Sequence, residues 1–486
     1  MIPDRFLPVL AELQPLTDRF RSAGHPLFLV GGTVRDLLLE LDRTGREHEY
    51  DFDATTPATP EQIKHCLHGW ADAIWTQGER FGTIGAMKRT TLPGGAVIER
   101  VYEITTHRAE VYNDDSRHPV VQFSDDIETD LSRRDFTVNA MALELTSESP
   151  TLVDPFHGAV DLLTRTLRTP LAPEISFGDD PLRMLRAARF IARHGLEPVP
   201  ELLDAVRSMA PRLKIVSAER IRDELDKLIT TLHPTTGLWF CVDTGLADHF
   251  LPELPSMRLE QDPIHRHKDV LTHTLAVVEN VRPPVVAVAG GPGPMFDFRR
   301  TRLAALFHDV GKPRTRGYQQ GKGVTFHHHD AVGAKMTRKR LVALRYSNDD
   351  VAAITDLVSL HLRFHTYQMG WTDSAVRRYV RDAGPLLGEL NVLTRCDCTT
   401  RNERKALTLS RRMDELEMRI GELAEREAID ALRPEIDGQR VMEVLGIPAG
   451  RAVGEALAFL LEIRLDEGVL GPEIIENRLV AWWCNH

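Results

Sequence analysis

No apolar run in this chain approaches bilayer length, so nothing in it reads as a membrane-spanning helix and no membrane partner is expected. Cysteine is scarce: Cys66, Cys241, Cys396, Cys398 and Cys484 make an odd count with no repeated C-x-x-C pair. That excludes a disulfide scaffold and a zinc knuckle, leaves Cys396 and Cys398 as two free thiols, and fits a reducing compartment. Positive charge is also in deficit. At a formal net charge of −11 the surface is not coated in basic patches, so any nucleic-acid contact must use a local positive strip on an acidic body. The opening MIPDRFLPVLAELQPL lacks the charged-then-apolar pattern of a signal peptide, and a cytoplasmic location is expected. There is no internal repeat. What is present is 486 residues, 42% hydrophobic, enough for several cores and more than one domain.

The most informative stretch runs from Leu27 to Asp53. Leu27 to Val30 reads as a buried strand, Gly31 and Gly32 as a turn, and Val34 to Leu41 as an amphipathic helix opened by Thr33. Strand, glycine turn and helix can hold a phosphate: glycines let backbone N–H groups approach the anion, and the new helix points its positive end at it. Arg35 can add a fork of donors. Tyr50-Asp51-Phe52-Asp53 alternates with the strand period, so Asp51 and Asp53 share one face while Tyr50 and Phe52 enter the core. Paired carboxylates repel unless a cation lies between them, and hard oxygen ligands suit Mg2+ bound with nucleotide phosphates. Either half alone is a common pattern. Within one strand-helix-strand unit, they point to metal-dependent nucleotidyl transfer.

Around this unit the pattern predicts a leading helix over residues 1–26, with Phe6, Val9, Leu10, Leu13 and Leu16 on one side. A further helix is expected over Pro57–Trp70. Strands are expected at Ile74–Gln77, Phe81–Lys88, Ala96–Thr105 and Val120–Phe123, with Leu92-Pro93-Gly94-Gly95 as a hairpin turn. Together these give a mixed sheet with helices up to about residue 155, and helices thereafter. Pro170–Asp180 reads as linker, Ala289–Met295 as a flexible insertion, and Arg411–Arg426 as a solvated helix face.

Two later segments carry chemistry. In LSRRDFTVNAMA, Arg133 and Arg134 cannot both be comfortably buried, while Phe136, Val138 and Met141 supply a core face. An arginine here can stabilise triphosphate charge if it lies near the carboxylates. In DDPLRMLRAARFIARHG, Pro181 suits the first helical position, Asp180 the cap and Gly195 the stop. At about 100° per residue, Leu182, Met184, Leu185, Ala188, Ile191 and Ala192 form one stripe and Arg183, Arg186, Arg189 and Arg193 the opposite one. Four arginines on a narrow arc, with no matching acids along the helix, point to an anionic partner. Asp180 can accept from the amino group shared by cytosine and adenine, and Arg183 can donate to the neighbouring ring acceptor. That pair would reject guanine and uracil without a nucleic-acid template.

GGTVRD, DFD, RRDFTVNAMAL, DPFHGAVDL and DDPLRMLRAARF, in this order and spacing, resemble the class II tRNA nucleotidyltransferase/poly(A) polymerase family over the first ~230 residues. The resemblance implies an α+β fold: a polymerase-β-like nucleotidyltransferase head (1–155), then an all-α neck (156–260), HD part (261–400) and tail (401–486). It implies CCA addition to tRNA 3′ ends from CTP and ATP, with poly(A) synthesis or A-only addition as neighbouring activities. Carried over by position, Asp51 and Asp53 would hold Mg2+ and be catalytic. Gly32, Arg35 and Arg134 would hold the triphosphate, Asp180 and Arg183 would read the base, and Arg186 and Arg189 would support the nucleotide. Asp179 stands where the family has glutamate and receives no role; Glu103 is a looser third carboxylate.

A second constellation follows in HRHKDVLTHTL, LAALFHDVGKPRTR, FHHHDAVGA, LVSLHLRFH and RCDCTTRN. An inward histidine beside an aspartate is costly unless paired or metal-bound. His273, His308, Asp309, His329, His361 and Asp397 resemble the ligand set of the HD phosphohydrolase superfamily. The spacing to Ala331-Val332-Gly333 favours His329 over His327 and His328. A divalent ion (Mn, Ni, Co or Fe) is the implied occupant, either activating water against a phosphate ester or helping to hold RNA. The rival reading of the whole chain is therefore an HD metallophosphohydrolase with a nucleotide-binding head.

Overall fold

The glycine turn and the aspartate strand come together inside a seven-stranded mixed sheet. The computed structural model describes residues 3–39, 51–91, 95, 97–108, 123–259, 269–284, 296–320, 323–366, 371–399, 403–427 and 433–485. Its chain order begins α1 (Leu7–Ser22), β1 (Phe28–Val30), α2 (Gly32–Leu38), β2 (Asp51–Thr56), α3 (Pro60–Leu67), β3 (Ala73–Trp75) and β4 (Thr83–Thr91). It continues β5 (Val97–Thr106), α4 (Ile127–Ser132), β6 (Ala142–Glu144) and β7 (Thr151–Val153). The strand order is β3-β4-β5-β2-β1-β6-β7. β2 runs parallel to β5, with Asp53 opposite Glu103, and every other pairing in the sheet is antiparallel.

The core follows from the patterning. β1 is buried throughout, and Phe52 of β2 is buried and stacked on Tyr102 of β5 at 5.2 Å. α1 buries Val9, Leu13, Leu16 and Phe20. α3 starts at a capping box, Thr59 with Gln62, with Pro60 in its first turn, so it is shorter than the expected 57–70. Of the strand expected at 120–123, residues 120–122 lie outside the described residues, and Phe123 makes an isolated bridge with Arg108.

Several expectations need correction. α2 is not amphipathic: Thr33, Val34, Arg35, Asp36 and Leu37 are all buried, because Arg35 and Asp36 neutralise each other inside the head. The stretch read as a linker holds α6 (Pro173–Asp179), which follows α5 (Gly158–Leu163). Pro173 pre-sets the α6 first turn, and Phe177 buries completely beneath it. α7 (Leu182–His194) begins one residue later than expected, with Pro181 at the cap; Asp180 Oδ1 accepts from the Leu182 N–H at 3.1 Å. It ends at Gly195, whose φ of +62° closes the helix. Its predicted apolar stripe is buried.

By contacts the chain divides into two units. One comprises Met1–Ser217 with Trp239–Phe250, the other Ala218–Leu238 with Leu251–His486. In the second unit the helices Val270–Asn280, Phe298–Phe307, His329–Ala343, Asn348–Leu360 and Leu387–Asp397 pack together, burying Leu275, Phe307, Leu341, Leu357 and Leu393. The helical part is not free of strands. Thr166–Leu167 pairs with Glu197–Pro198, and Arg316–Gln319 forms a hairpin with Gly323–Phe326. The expected insertion at 289–295 lies outside the described residues. The helix Glu403–Glu427 is not merely a solvated face: Met413, Leu416 and Leu423 are buried, while Arg419 and Arg426 pair with Asp373. Residues from Ile436 to Leu479 build their own apolar cluster around Val441, Ala456 and Leu460. Among the described residues no helix is long and apolar enough to cross a membrane.

Candidate active site and metal centre

In the first unit four segments border one cavity of about 280 Å³. The turn after β1 brings Gly31 and Gly32, and β2 brings Asp53. The loop after α4 brings Arg134, Asp135 and Asn139, and the α6–α7 corner brings Asp180, Arg183 and Arg186. Gly31 is needed where it stands. Its φ is +73°, and a Cβ there would lie 3.4 Å from Asp53 Oδ2 and 3.6 Å from Arg134 Nη1. A carboxylate and a guanidinium thus converge over bare backbone. Arg134 is tethered to Asp130 at 3.2 Å, with its Nη1 at the glycine turn.

Of the residues expected at the nucleotide site, Gly32, Asp53, Arg134, Asp180, Arg183 and Arg186 meet at this cavity. Asp51 sits two positions before Asp53 in β2, in register with Val101; its side chain lies outside the described residues. Arg35 does not line the cavity. It is buried, donating to Asp36 at 2.6 and 2.8 Å and to Asn139 Oδ1 at 2.6 Å, with its guanidinium over the Phe190 ring. Its donors are taken up by the head's interior. Arg189 also lies outside the cavity, stacked over Phe190 at 4.9 Å. Glu103 is exposed beside Asp53 on β5 and does not line the cavity.

Sequence reasoning missed Asp135 and Asn139. Asp135 is buried, accepting from Arg186 at 2.6 and 3.0 Å, from Asn139 Nδ2 at 2.9 Å and from the Phe136 N–H. Burial alone would lift its carboxyl, but Arg186, the Asn139 amide and Arg183 outweigh that and hold it down to about 2. The acidic partner absent from α7 itself comes from this loop. The four-residue spacing of Asp135 and Asn139 was the available signal.

In the second unit all six predicted metal ligands converge. His273 Nε2 lies 2.9 Å from Asp397 Oδ1 and 3.3 Å from His308 Nε2. His361 Nε2 lies 3.3 Å from His329 Nε2. Asp309 spans both groups, Oδ2 facing His308 at 3.3 Å and Oδ1 facing His329 at 3.4 Å. The remote nitrogens are already committed: the Nδ1 atoms of His308, His329 and His361 bond the carbonyls of Ala305, Phe326 and Val358 at 2.7–2.8 Å. In the neutral ring that leaves each Nε2 with its lone pair facing inward. Facing lone pairs beside two buried carboxylates repel unless positive charge sits among them. Accordingly His308, which burial would depress, is pushed up to about 10 by Asp309 and Asp397, while burial and His308 hold His361 down to about 4. This donor set fits a divalent metal ion. His327 and His328 are exposed, as the spacing argument requires. Gly311 lets the Asp309 turn touch the His329 helix, where a Cβ would fall 2.1 Å from the His329 carbonyl oxygen. Lys312, not foreseen, bonds Asp309 Oδ2 at 2.6 Å.

Residues 27–168 match the poly A polymerase head domain, 195–257 the probable RNA and SrmB-binding site of polymerase A, and 270–402 the HD domain. The A-adding tRNA nucleotidyltransferase of Deinococcus radiodurans is 33% identical over 468 residues, covering 93% of this chain and 95% of the relative. The CCA-adding enzyme of Lactobacillus helveticus is 38% identical over 248 residues, 51% of this chain and 56% of the relative. Among solved structures, the Bacillus stearothermophilus CCA-adding enzyme in complex with CTP aligns with 99% of this chain and 98% of its own, at a TM-score of 0.62 and 25% identity. The chain belongs to the class II tRNA nucleotidyltransferase/poly(A) polymerase family, as a nucleotidyltransferase with a C-terminal HD domain.

Proposed function

We propose that this enzyme adds CMP and AMP to tRNA 3′ ends from CTP and ATP, without a nucleic-acid template and with release of pyrophosphate. The observation that carries the reading is the cavity itself, where Asp53 and Arg134 meet at the glycine turn opposite Asp180 and Arg183. The RNA 3′-oxygen attacks the α-phosphorus, a new P–O bond forms, and the bond to the β-phosphate breaks. Mg2+ held by Asp51 and Asp53 would lower the pKa of the attacking hydroxyl and neutralise the leaving pyrophosphate. Arg134 and the backbone of Gly32 bind the triphosphate. Asp180 accepts from the exocyclic amino group of cytosine or adenine and Arg183 donates to the adjacent ring nitrogen; guanine and uracil present a carbonyl at that place and are refused. Arg186, fixed by Asp135, borders the nucleotide. Arg35 acts one step removed, through Asn139.

On this reading residues 1–155 are the catalytic head, 156–260 the neck that selects the base and binds RNA, 261–400 the HD part and 401–486 the tail. The HD ligands would take a divalent ion of the Mn, Ni, Co or Fe class. Incubation with labelled CTP and ATP tests the head: the wild type labels tRNA, and an Asp53→Ala chain that still labels it overturns the assignment. A second reading, addition of AMP alone, is favoured by the full-length match to the A-adding relative. Incorporation of label from CTP onto tRNA ending at the discriminator base would exclude it.

A further inference from the structure

The base-reading arginine does not stand alone on α7; it is gripped from α6. Arg183 Nη1 donates to Ser176 Oγ at 2.9 Å and to the Ser176 carbonyl at 3.3 Å, and Nη2 donates to the Arg133 carbonyl. Ser176 is buried, at 3% exposure, and its carbonyl also accepts the Asp180 N–H at 3.2 Å. One residue therefore supports both members of the Asp180–Arg183 pair. The α6 end is itself held in place: Arg212 donates to the Gly178 carbonyl, and Asp179 pairs with the Arg133 side chain at 3.3 Å. A guanidinium has five donors. The three contacts from Ser176 and Arg133 fix its plane and leave donors for a base.

We propose that Ser176 is a positioning residue for base selection: its hydroxyl sets the plane in which Arg183 meets the incoming base. This rests on the reading of Asp180 and Arg183 as the base-selecting pair. A free arginine explores many rotamers, so a carbonyl-bearing base can find a donor geometry that suits it. A guanidinium held from behind offers only the geometry that fits a ring acceptor beside an amino group. Ser176 does not line the cavity, and its hydroxyl acts through Arg183.

Coupling tests this. With the full chain and tRNA, the ratio of kcat/KM for the correct nucleotide to that for GTP or UTP is measured for wild type, Ser176→Ala, Arg183→Ala and the double variant. The expected result is that Ser176→Ala lowers the ratio about three- to tenfold, the scale of one lost hydrogen bond, and lowers nothing further once Arg183 is alanine. If Ser176→Ala leaves the ratio unchanged while Arg183→Ala collapses it, the pair still reads the base and the Ser176 role is wrong. If Ser176→Ala lowers the ratio equally in both backgrounds, its effect is packing and the proposal fails. If Arg183→Ala leaves selection intact, the underlying reading fails with it.

Discussion

Asp135→Asn isolates the buried charge at the cavity beside the glycine turn. The substitution preserves shape but removes the carboxylate that accepts twice from Arg186 and once from Asn139. Folding moves the Asp135 pKa from 3.8 to about 2. At about 1.4 kcal/mol per pKa unit, the ionised carboxylate contributes about 2 kcal/mol to stability at neutral pH. The sign follows from the depression. The contribution is fully present above the unfolded value near 4 and is lost as pH falls from about 4 to about 2. Asp135→Asn should therefore unfold about 2 kcal/mol more easily at pH 7 and pH 5, with the deficit falling to about half near pH 3. Urea unfolding of the two chains side by side, followed by circular dichroism, reads this. A variant within about 0.5 kcal/mol of wild type at pH 7, the range of an ordinary surface change, would refute the argument. So would a deficit that stays constant down to pH 3.

Other outcomes follow from the same geometry. Asp51→Ala and Asp53→Ala should each lower nucleotide incorporation by at least about a thousandfold, as loss of electrostatic stabilisation does, with circular dichroism unchanged; retained activity in either would remove the two-carboxylate site. Gly31→Ala forces a side chain into a backbone conformation only glycine takes easily, at about 1–3 kcal/mol, so its thermal midpoint should fall and its KM for nucleotide rise. His329→Ala and His361→Ala should each reduce the divalent metal retained by the purified chain, counted by elemental analysis, whereas Asp53→Ala should not alter tight HD occupancy. Adding that metal to the chelated wild type at a hundred times its dissociation constant should stabilise the second unit by about 2.7 kcal/mol, seen in calorimetry as a rise in midpoint.

How much of this was legible depended on the range of the interactions. The β1 turn and β2 could be read because their signals are local: a buried run, two glycines, and alternation that puts Phe52 inside and Asp53 outside. α7 likewise announced itself through an unbroken apolar stripe and a terminal glycine. The HD ligands were legible as a set, through their resemblance to the HD superfamily, and not from any one histidine. Arg35 was misjudged because its partner Asn139 lies 104 residues away, and no local pattern shows that an arginine will turn inward. Asp135 was missed for the same reason; its burial and its bond to Arg186, 51 residues away, are tertiary. α6 hid in a proline- and glycine-containing stretch whose helical state rests on one buried phenylalanine.

What this enzyme leaves at an RNA end decides its assignment most directly. Purified full chain is incubated with CTP, ATP and a tRNA ending at the discriminator base, and the 3′ termini are sequenced. The expected termini are C, C and A, in that order and then a stop, with GTP and UTP ignored. Termini bearing A alone or a long A run would contradict CCA addition, and unextended termini would contradict nucleotidyl transfer to tRNA altogether.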